Sequence, residues 1–218
     1  GYRRSRCTKD IRQAVRHPIT VGAHEFLKLE ATTPIIFVTG GSQGAAVINE
    51  VLLDILPQVL ERYQVIHQTG KNNFAEVEQR ASVVLAHSPH KHRYKAFPYL
   101  YASALQMTAG VASLVISRAG STIFEIAYWG LPAILIPIPE EISHDQRANA
   151  FAYARSGGAV VIEQANFTTS ILLGEIIWLF EEPGLADKMR AGAKSFAKPE
   201  AGRQLAELIL ELGLEHEK

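Results

Sequence analysis

Short apolar runs alternate along this chain with segments in which apolar residues recur at helical spacing. Five runs rich in β-branched residues have the pattern of buried parallel strands. They are residues 35–39, 65–68, 113–117, 133–137 and 159–162. Predicted helices follow these runs. They start at Ala45, pass through Val77 and Ala81, run from Ile123 to Trp129, start again at Ala148, and extend from Thr168 to about Leu212. This alternation predicts an α/β fold, a doubly wound Rossmann-like parallel sheet with helices on both faces.

Two segments do not fit the alternation. Residues 1–34 are polar and predict a linker or N-terminal extension, so that residues 35–218 form the folded domain with its C-terminal helices. Residues 82–95 contain His87, His90 and His92. These histidines lack Cys partners and the i, i+4 helical spacing of a zinc site. We therefore interpret this segment as a surface loop and expect no bound metal.

Composition narrows the class of protein. The chain has 218 residues, of which 47% are hydrophobic and 20% are charged, as in a globular protein with a sizeable core. Lys and Arg number 22 and so do Asp and Glu, so no global charge favours nucleic acid. A basic cluster before residue 17 fits a solvated linker, or contact with anionic lipid or a partner. The lone Cys7 and the absence of any apolar run of ~18 residues predict a cytoplasmic protein.

The glycine-rich motif GGSQG at residues 40–44 lies between a predicted strand and a predicted helix. Such a turn lets backbone N–H groups and a helix amino end approach a phosphate. The same letters match the G-x-S-x-G nucleophile elbow of α/β-hydrolases, and a third possibility is a tight turn without a ligand. A hydrolase needs strands before the elbow and a histidine late in the chain. Only residues 1–34 precede this strand, and His216 in a charged tail is the only histidine after Asp145, so the hydrolase reading is disfavoured.

Two further polar segments follow predicted strands, at residues 118–122 and 140–149. Ligands of open parallel sheets bind at the carboxyl ends of the strands, so all three loops are expected at one crevice. Two helix amino ends there would suit a diphosphate. Glu125 could accept hydrogen bonds from ribose hydroxyls, or merely complement a helix dipole. Gln146 and Asn149 share a helix face, and their amides suit sugar hydroxyls, although such pairs also occur on solvent-exposed helix faces that bind no ligand.

These motifs together resemble the C-terminal domain of the MurG family, N-acetylglucosaminyltransferases that make lipid II for peptidoglycan. The resemblance covers about residues 35–210. It is carried by GGSQGA with Asn49, by SRAGS at 117–121, by Glu125 with GLP at 130–132, and by Q-x-x-N-A from Gln146. Residues 1–4 also look like a degraded form of the segment at which the second domain of that family begins.

The resemblance implies the donor-binding half of a GT-B glycosyltransferase, which takes UDP-N-acetylglucosamine and transfers the sugar to a lipid-linked acceptor with inversion. It implies no cofactor, no protein-bound metal and no catalytic residue in this half. Ser42 and nearby amides would hold the diphosphate, Glu125 the ribose, and Gln146 and Asn149 the sugar ring. The implied substrate-binding residues are Gly41, Ser42, Gln43, Gly44, Leu100, Arg118, Gly120, Ser121, Thr122, Glu125, Gln146 and Asn149.

Three departures from the family qualify these expectations. The family usually has one more residue before the ribose-binding glutamate, which affects Thr122 and Glu125, and Asp145 stands where His or Gln is commoner. The N-terminal domain is not in this sequence, so the acceptor would bind through a missing half or a separate partner subunit. That half would place the protein at the inner face of the plasma membrane. Alternatives are a non-catalytic nucleotide-sugar-binding module and the donor half of an enzyme glycosylating a different lipid.

Overall fold

The computed structural model describes residues 18–41, 44–200, 203–204, 206–207 and 209. The basic cluster, Cys7 and the family-like residues 1–4 lie outside the described residues, as do Ser42 and Gln43. The strands are β1 Ile35–Thr39, β2 Gln64–Gln68, β3 Tyr94–Phe97, β4 Leu114–Ser117, β5 Ala133–Leu135 and β6 Ala159–Val161. The α-helices in this part of the chain are α1 Ala23–Leu27, α2 Ala46–Arg62, α3 Phe74–Val84, α4 Ala102–Val111, α5 Thr122–Trp129, α6 His144–Arg155, α7 Thr169–Glu181 and α8 Leu185–Phe196.

All six strands pair in parallel, in the order β3-β2-β1-β4-β5-β6. The predicted doubly wound sheet is therefore confirmed. Strand order reverses between β1 and β4, which is the switch point where ligands of such folds bind. Thr39 is in register with Gln68 on β2 and with Ser117 on β4. The three central strands therefore end level, and the loops that follow them leave the sheet side by side.

The central strand β1 is buried along its whole length, and its residues alternate between two apolar layers. Ile36 and Val38 belong to the layer formed with α2, α3 and α7, and Ile35 and Phe37 to the layer with α4, α5 and α6. Burying an aliphatic or aromatic side chain of this size contributes about 1.5–3 kcal/mol. Two such layers explain why the sequence of β1 is continuously apolar, and they hold its carboxyl end in a fixed position.

In the described part of the chain, one strand and two α-helices were not predicted by the apolar pattern. Strand β3 begins at Tyr94, at the end of the segment interpreted as a loop, and a short 3-10 turn at Lys91–Arg93 precedes it. Helix α4 follows it. Helix α1 lies within the stretch interpreted as a polar linker, and its Ala23 and Leu27 are buried. The linker interpretation therefore does not hold for this helix, while the domain boundary at residue 35 stays a prediction.

Among the described residues, no helix combines the length and the apolar character that crossing a bilayer requires.

Candidate functional site

A cleft of about 510 Å³ opens at the carboxyl ends of β1 and β4, at the switch point of the sheet. Its volume lies within the range of ordinary ligand sites. It is lined by Phe37, Thr39, Gly40, Gly41, Gly44, Ala45, Gln68, Tyr99, Leu100, Leu105, Arg118, Gly120, Ser121, Thr122, Glu125, Ile138 and Gln146. The described members of the predicted site therefore meet in one cleft, with the exception of Asn149.

The first turn is shaped by backbone that only glycine adopts easily. Gly41 and Gly44 have φ of 82° and 78°. A Cβ atom on Gly44 would lie 2.1 Å from the carbonyl oxygen of Thr69, so no side chain fits there. Helix α2 starts directly after this turn, and no described side chain caps its amino end at Ala45. Its N–H groups are thus positioned for an external acceptor. The predicted contacts of Ser42 and Gln43 stay predictions.

The second turn follows β4 and also leads directly into a helix. Gly120, Ser121 and Thr122 line the cleft, and α5 begins at Thr122. In the described part of the chain, no side chain caps its amino end at Ser121. Each helix amino end carries a partial positive charge of about half an elementary unit. Two helix amino ends at one cleft create an electric field that attracts an anion. This field favours an anion with two charged groups.

Arg118 links this turn to the next strand. Its Nη1 donates to the carbonyl oxygens of Ile136 at 3.1 Å and Pro137 at 3.4 Å. Burial lowers the pKa of the Arg118 guanidinium, which nevertheless stays protonated at neutral pH because an arginine begins so far above it. The side chain therefore adds a fixed positive charge to the wall of the cleft while its hydrogen bonds fasten the loop after β5.

The predicted amide pair on α6 is divided between two environments. Gln146 lines the cleft, and its Oε1 accepts from the backbone N–H of Ile138 at 3.3 Å. Asn149 lies outside the lining, and its Nδ2 donates to the carbonyl oxygen of Ala119 at 3.4 Å. Asn149 thus supports the second turn from behind, and its predicted sugar contact stays a prediction. Glu125, one turn into α5, lines the cleft as expected.

Gln68 is a cleft residue that sequence reasoning did not select. Its side chain is 6% exposed, and its Nε2 donates to Thr39 Oγ1 at 3.1 Å and to the Gly41 carbonyl oxygen at 3.2 Å. Its Oε1 accepts from the backbone N–H of Leu100 at 2.9 Å. One amide therefore joins the glycine-rich turn to the segment after β3. The available signal was a polar residue at the carboxyl end of a buried strand.

Tyr99 also lines the cleft, next in sequence to the buried Leu100. The ammonium of Lys71 lies 5.7 Å from the centre of its ring, within range of a cation–π contact. Of the histidines in the segment 82–95, His92 donates from Nε2 to Glu30 Oε1 at 2.8 Å, and none of the three lines the cleft. Among the described residues, no group of three or more His, Cys, Asp and Glu is arranged to hold a metal ion.

Comparison with known proteins shows a family that this chain matches and relatives of similar sequence. The family model of the glycosyltransferase family 28 C-terminal domain matches residues 35–205. Two curated relatives are named UDP-N-acetylglucosamine–N-acetylmuramyl-(pentapeptide) pyrophosphoryl-undecaprenol N-acetylglucosamine transferase. The one from Listeria welshimeri is 31% identical over 191 residues, covering 87% of this chain and 51% of the relative. The one from Methylorubrum extorquens is 34% identical over 216 residues, covering 96% and 56%.

A solved structure gives the same picture. The crystal structure of Acinetobacter baumannii MurG superposes with a TM-score of 0.72 at 27% identity, over 89% of this chain and 54% of that one. The chain therefore spans about half the length of the relatives it matches.

Proposed function

Because this chain belongs to the glycosyltransferase family 28 C-terminal domain family, as its motifs predicted, we propose that its cleft binds UDP-N-acetylglucosamine. In this proposal the domain is the donor half of a GT-B N-acetylglucosaminyltransferase of peptidoglycan synthesis. The sugar would pass from UDP to a lipid-linked acceptor, converting lipid I to lipid II. The names of the two relatives describe such a transfer, which supports the choice of donor.

One observation carries the proposal. The amino ends of α2 and α5 open onto the same cleft from adjacent strands, each after a small-residue turn and each without a described side-chain cap. Backbone N–H groups at a helix amino end bind phosphate oxygens, and the helix dipole favours negative charge there. Two such ends that follow adjacent strands and open onto one cleft suit the two phosphates of a nucleoside diphosphate.

The remaining lining residues suggest how the rest of the donor would lie. Glu125 would accept hydrogen bonds from the ribose, and Gln146 would contact the sugar, with Asn149 reaching it after a side-chain rearrangement. The N–H of Leu100 already donates to Gln68. The family resemblance places the uracil-contacting backbone at about residues 97–100, and a contact at Leu100 would therefore use its carbonyl oxygen, which can accept from the N3–H of the base.

In the proposed reaction, a hydroxyl of the acceptor forms a bond to the anomeric carbon while the bond from that carbon to the UDP oxygen breaks. Negative charge then grows on the departing diphosphate. Fixed donors and helix dipoles aimed at that charge stabilise the transition state more than the ground state. The two turns and Arg118 would supply this stabilisation. The acceptor site and its general base are proposed for a further N-terminal half or a partner subunit, which would also contact the membrane.

Calorimetric titration of this chain with UDP, UDP-N-acetylglucosamine and UDP-glucose tests the proposal. We expect UDP to bind, and UDP-N-acetylglucosamine to bind more tightly than UDP-glucose because polar groups contact the N-acetyl sugar. Equal affinity for the three ligands would refute the sugar preference. Absence of any binding by UDP would show that the cleft is not a nucleotide site.

A further inference from the structure

His67 lies on β2 next to Gln68 but does not line the cleft, and its ring hydrogen-bonds residues of the layer on the other face of the sheet. Its side chain is fully buried, and both ring nitrogens have partners. Nδ1 lies 2.8 Å from the hydroxyl oxygen of Tyr94, and Nε2 lies 3.0 Å from Asn49 Oδ1. A fully satisfied polar group inside an apolar layer is fixed in one orientation, because any other leaves a buried group unpaired.

The partners determine where the protons lie. Asn49 Nδ2 donates to the carbonyl oxygen of Thr69 at 3.1 Å, so its Oδ1 faces His67 as an acceptor. Nε2 of His67 must therefore carry the proton, and Nδ1 accepts from the Tyr94 hydroxyl. Burial lowers the pKa of His67 to about 3, which keeps this neutral form at physiological pH. The network thus runs in one direction, from Tyr94 through His67 and Asn49 to Thr69.

The network ends at the glycine-rich turn. The Thr69 carbonyl oxygen accepts from Asn49 and also from Asn73 Nδ2, at 3.1 Å each. A Cβ atom placed ideally on Gly44 would lie only 2.1 Å from that same oxygen, which is too close for any side chain. The backbone of the turn is therefore packed directly on the carbonyl that His67 fixes through Asn49. A displacement of this carbonyl would move Gly44 and the amino end of α2 with it.

We propose that His67 is a positioning residue for diphosphate binding, which sets the geometry of the glycine-rich turn by fixing Asn49 and the Thr69 carbonyl. This inference rests on the proposed function, since it concerns the same cleft. Anion binding at N–H groups depends on their alignment, and supporting residues behind such groups hold that alignment. A merely structural role would predict a loss of stability in a His67 variant but unchanged affinity in the molecules that remain folded.

The test compares UDP with uridine, which lacks the diphosphate, on folded protein well below the melting temperature. His67→Leu removes the donor to Asn49, whereas His67→Gln can place an N–H near the position of Nε2. We expect His67→Leu to weaken UDP binding about tenfold, the effect of one misplaced charge-assisted contact. Uridine affinity should stay unchanged, and His67→Gln should recover most of the UDP affinity.

A double-mutant cycle shows whether His67 acts through Asn49. In an Asn49→Ala background the His67→Leu substitution should cause no further loss of UDP affinity, because the connection is already broken. Additive losses, or equal losses for UDP and uridine, would overturn the inference. If His67→Leu does not fold, the comparison of Asn49→Ala with wild type for UDP against uridine decides instead. If the wild-type protein does not bind UDP, the proposed function itself is refuted. If every variant binds UDP as tightly as wild type, only the inference about His67 is refuted.

Discussion

The side-chain Nε2 of Gln68 donates to the carbonyl oxygen of Gly41 at 3.2 Å. The same amide accepts from Leu100 through its Oε1 at 2.9 Å. It therefore ties together two loops that follow different strands and form two sides of the cleft.

Replacing Gln68 with Leu should weaken UDP binding by about 1–3 kcal/mol, because buried backbone groups on both loops lose their partner. Gln64 provides a matched control on the same strand. It is 1% exposed, and its amide holds the backbone of Glu30 and Thr33 at the opposite end of β2. Gln64→Leu should lower the melting temperature and leave UDP affinity unchanged. Equal UDP affinities for the two variants in calorimetry would contradict this role of Gln68.

The turn itself can be tested at Gly44. Gly44→Ala places a methyl group against the Thr69 carbonyl in addition to the cost of a positive φ. Gly157 has a similar φ of 81° with no atom within 4 Å of its ideal Cβ, and it does not line the cleft. Gly157→Ala should cost about 1–2 kcal/mol of unfolding free energy from φ alone. Gly44→Ala should cost more in urea denaturation, and a cost equal to that of Gly157→Ala would show that the turn relaxes freely.

The unit from β1 to α2 could be predicted from the sequence, because a strand buried on both faces is continuously apolar and a helix of 17 residues repeats its apolar face several times. Strand β3 could not, since it lies at the sheet edge and all its residues are half-buried. Its sequence, Tyr-Lys-Ala-Phe, therefore lacks an apolar run. Edge strands of this kind are identified by their neighbours, which a single sequence does not reveal.

The placement of the described turn residues at one cleft could be predicted, because a small-residue motif after a strand has a local meaning. Gln68 and His67 could not, because their roles depend on which strand lies beside β1 and which helix covers it. Gln146 and Asn149 show a related limit. Their i, i+3 spacing correctly placed them on one helix face, yet only Gln146 reaches the cleft.

The role of Glu125 can be tested, since it either contacts the ligand or interacts with the helix dipole. Glu125→Gln should weaken UDP binding by about 1–3 kcal/mol if its carboxylate accepts from ribose hydroxyls. Affinity for 2′,3′-dideoxy-UDP should be the same in wild type and variant. Asp187, in the first turn of α8 and outside the cleft, is the control for the dipole effect. Asp187→Asn should cost about 0.3–1 kcal/mol of stability without changing UDP affinity. A Glu125 variant with normal UDP affinity would assign that residue to the dipole alone.

The unfolding free energy of the protein should depend on pH in two separate ranges, one set by His67 and one by Glu30. Glu30 accepts from Arg93 and His92, and these hydrogen bonds lower its pKa from 4.5 to about 2. A lowered carboxyl pKa stabilises the folded state above pH 4.5, and this contribution is lost as the pH falls toward 2. His67 acts at higher pH, because burial lowers its pKa from 6.5 to about 3. Above pH 6.5 His67 is neutral in both the folded and the unfolded state, so its titration does not change the unfolding free energy.

Between pH 6.5 and 4.5 the unfolded chain therefore protonates His67 while the folded protein does not, and the stabilisation from Glu30 does not yet change with pH. The unfolding free energy should fall with decreasing pH in this window, with a limiting slope of about 1.4 kcal/mol per pH unit from His67. Urea denaturation across the window should show a smaller slope for His67→Gln, whose side chain does not titrate. Glu30→Gln should be less stable than wild type in this window but keep the wild-type slope, and its slope should differ only below pH 4.5. Parallel curves for wild type and His67→Gln would mean that His67 is protonated in the folded protein.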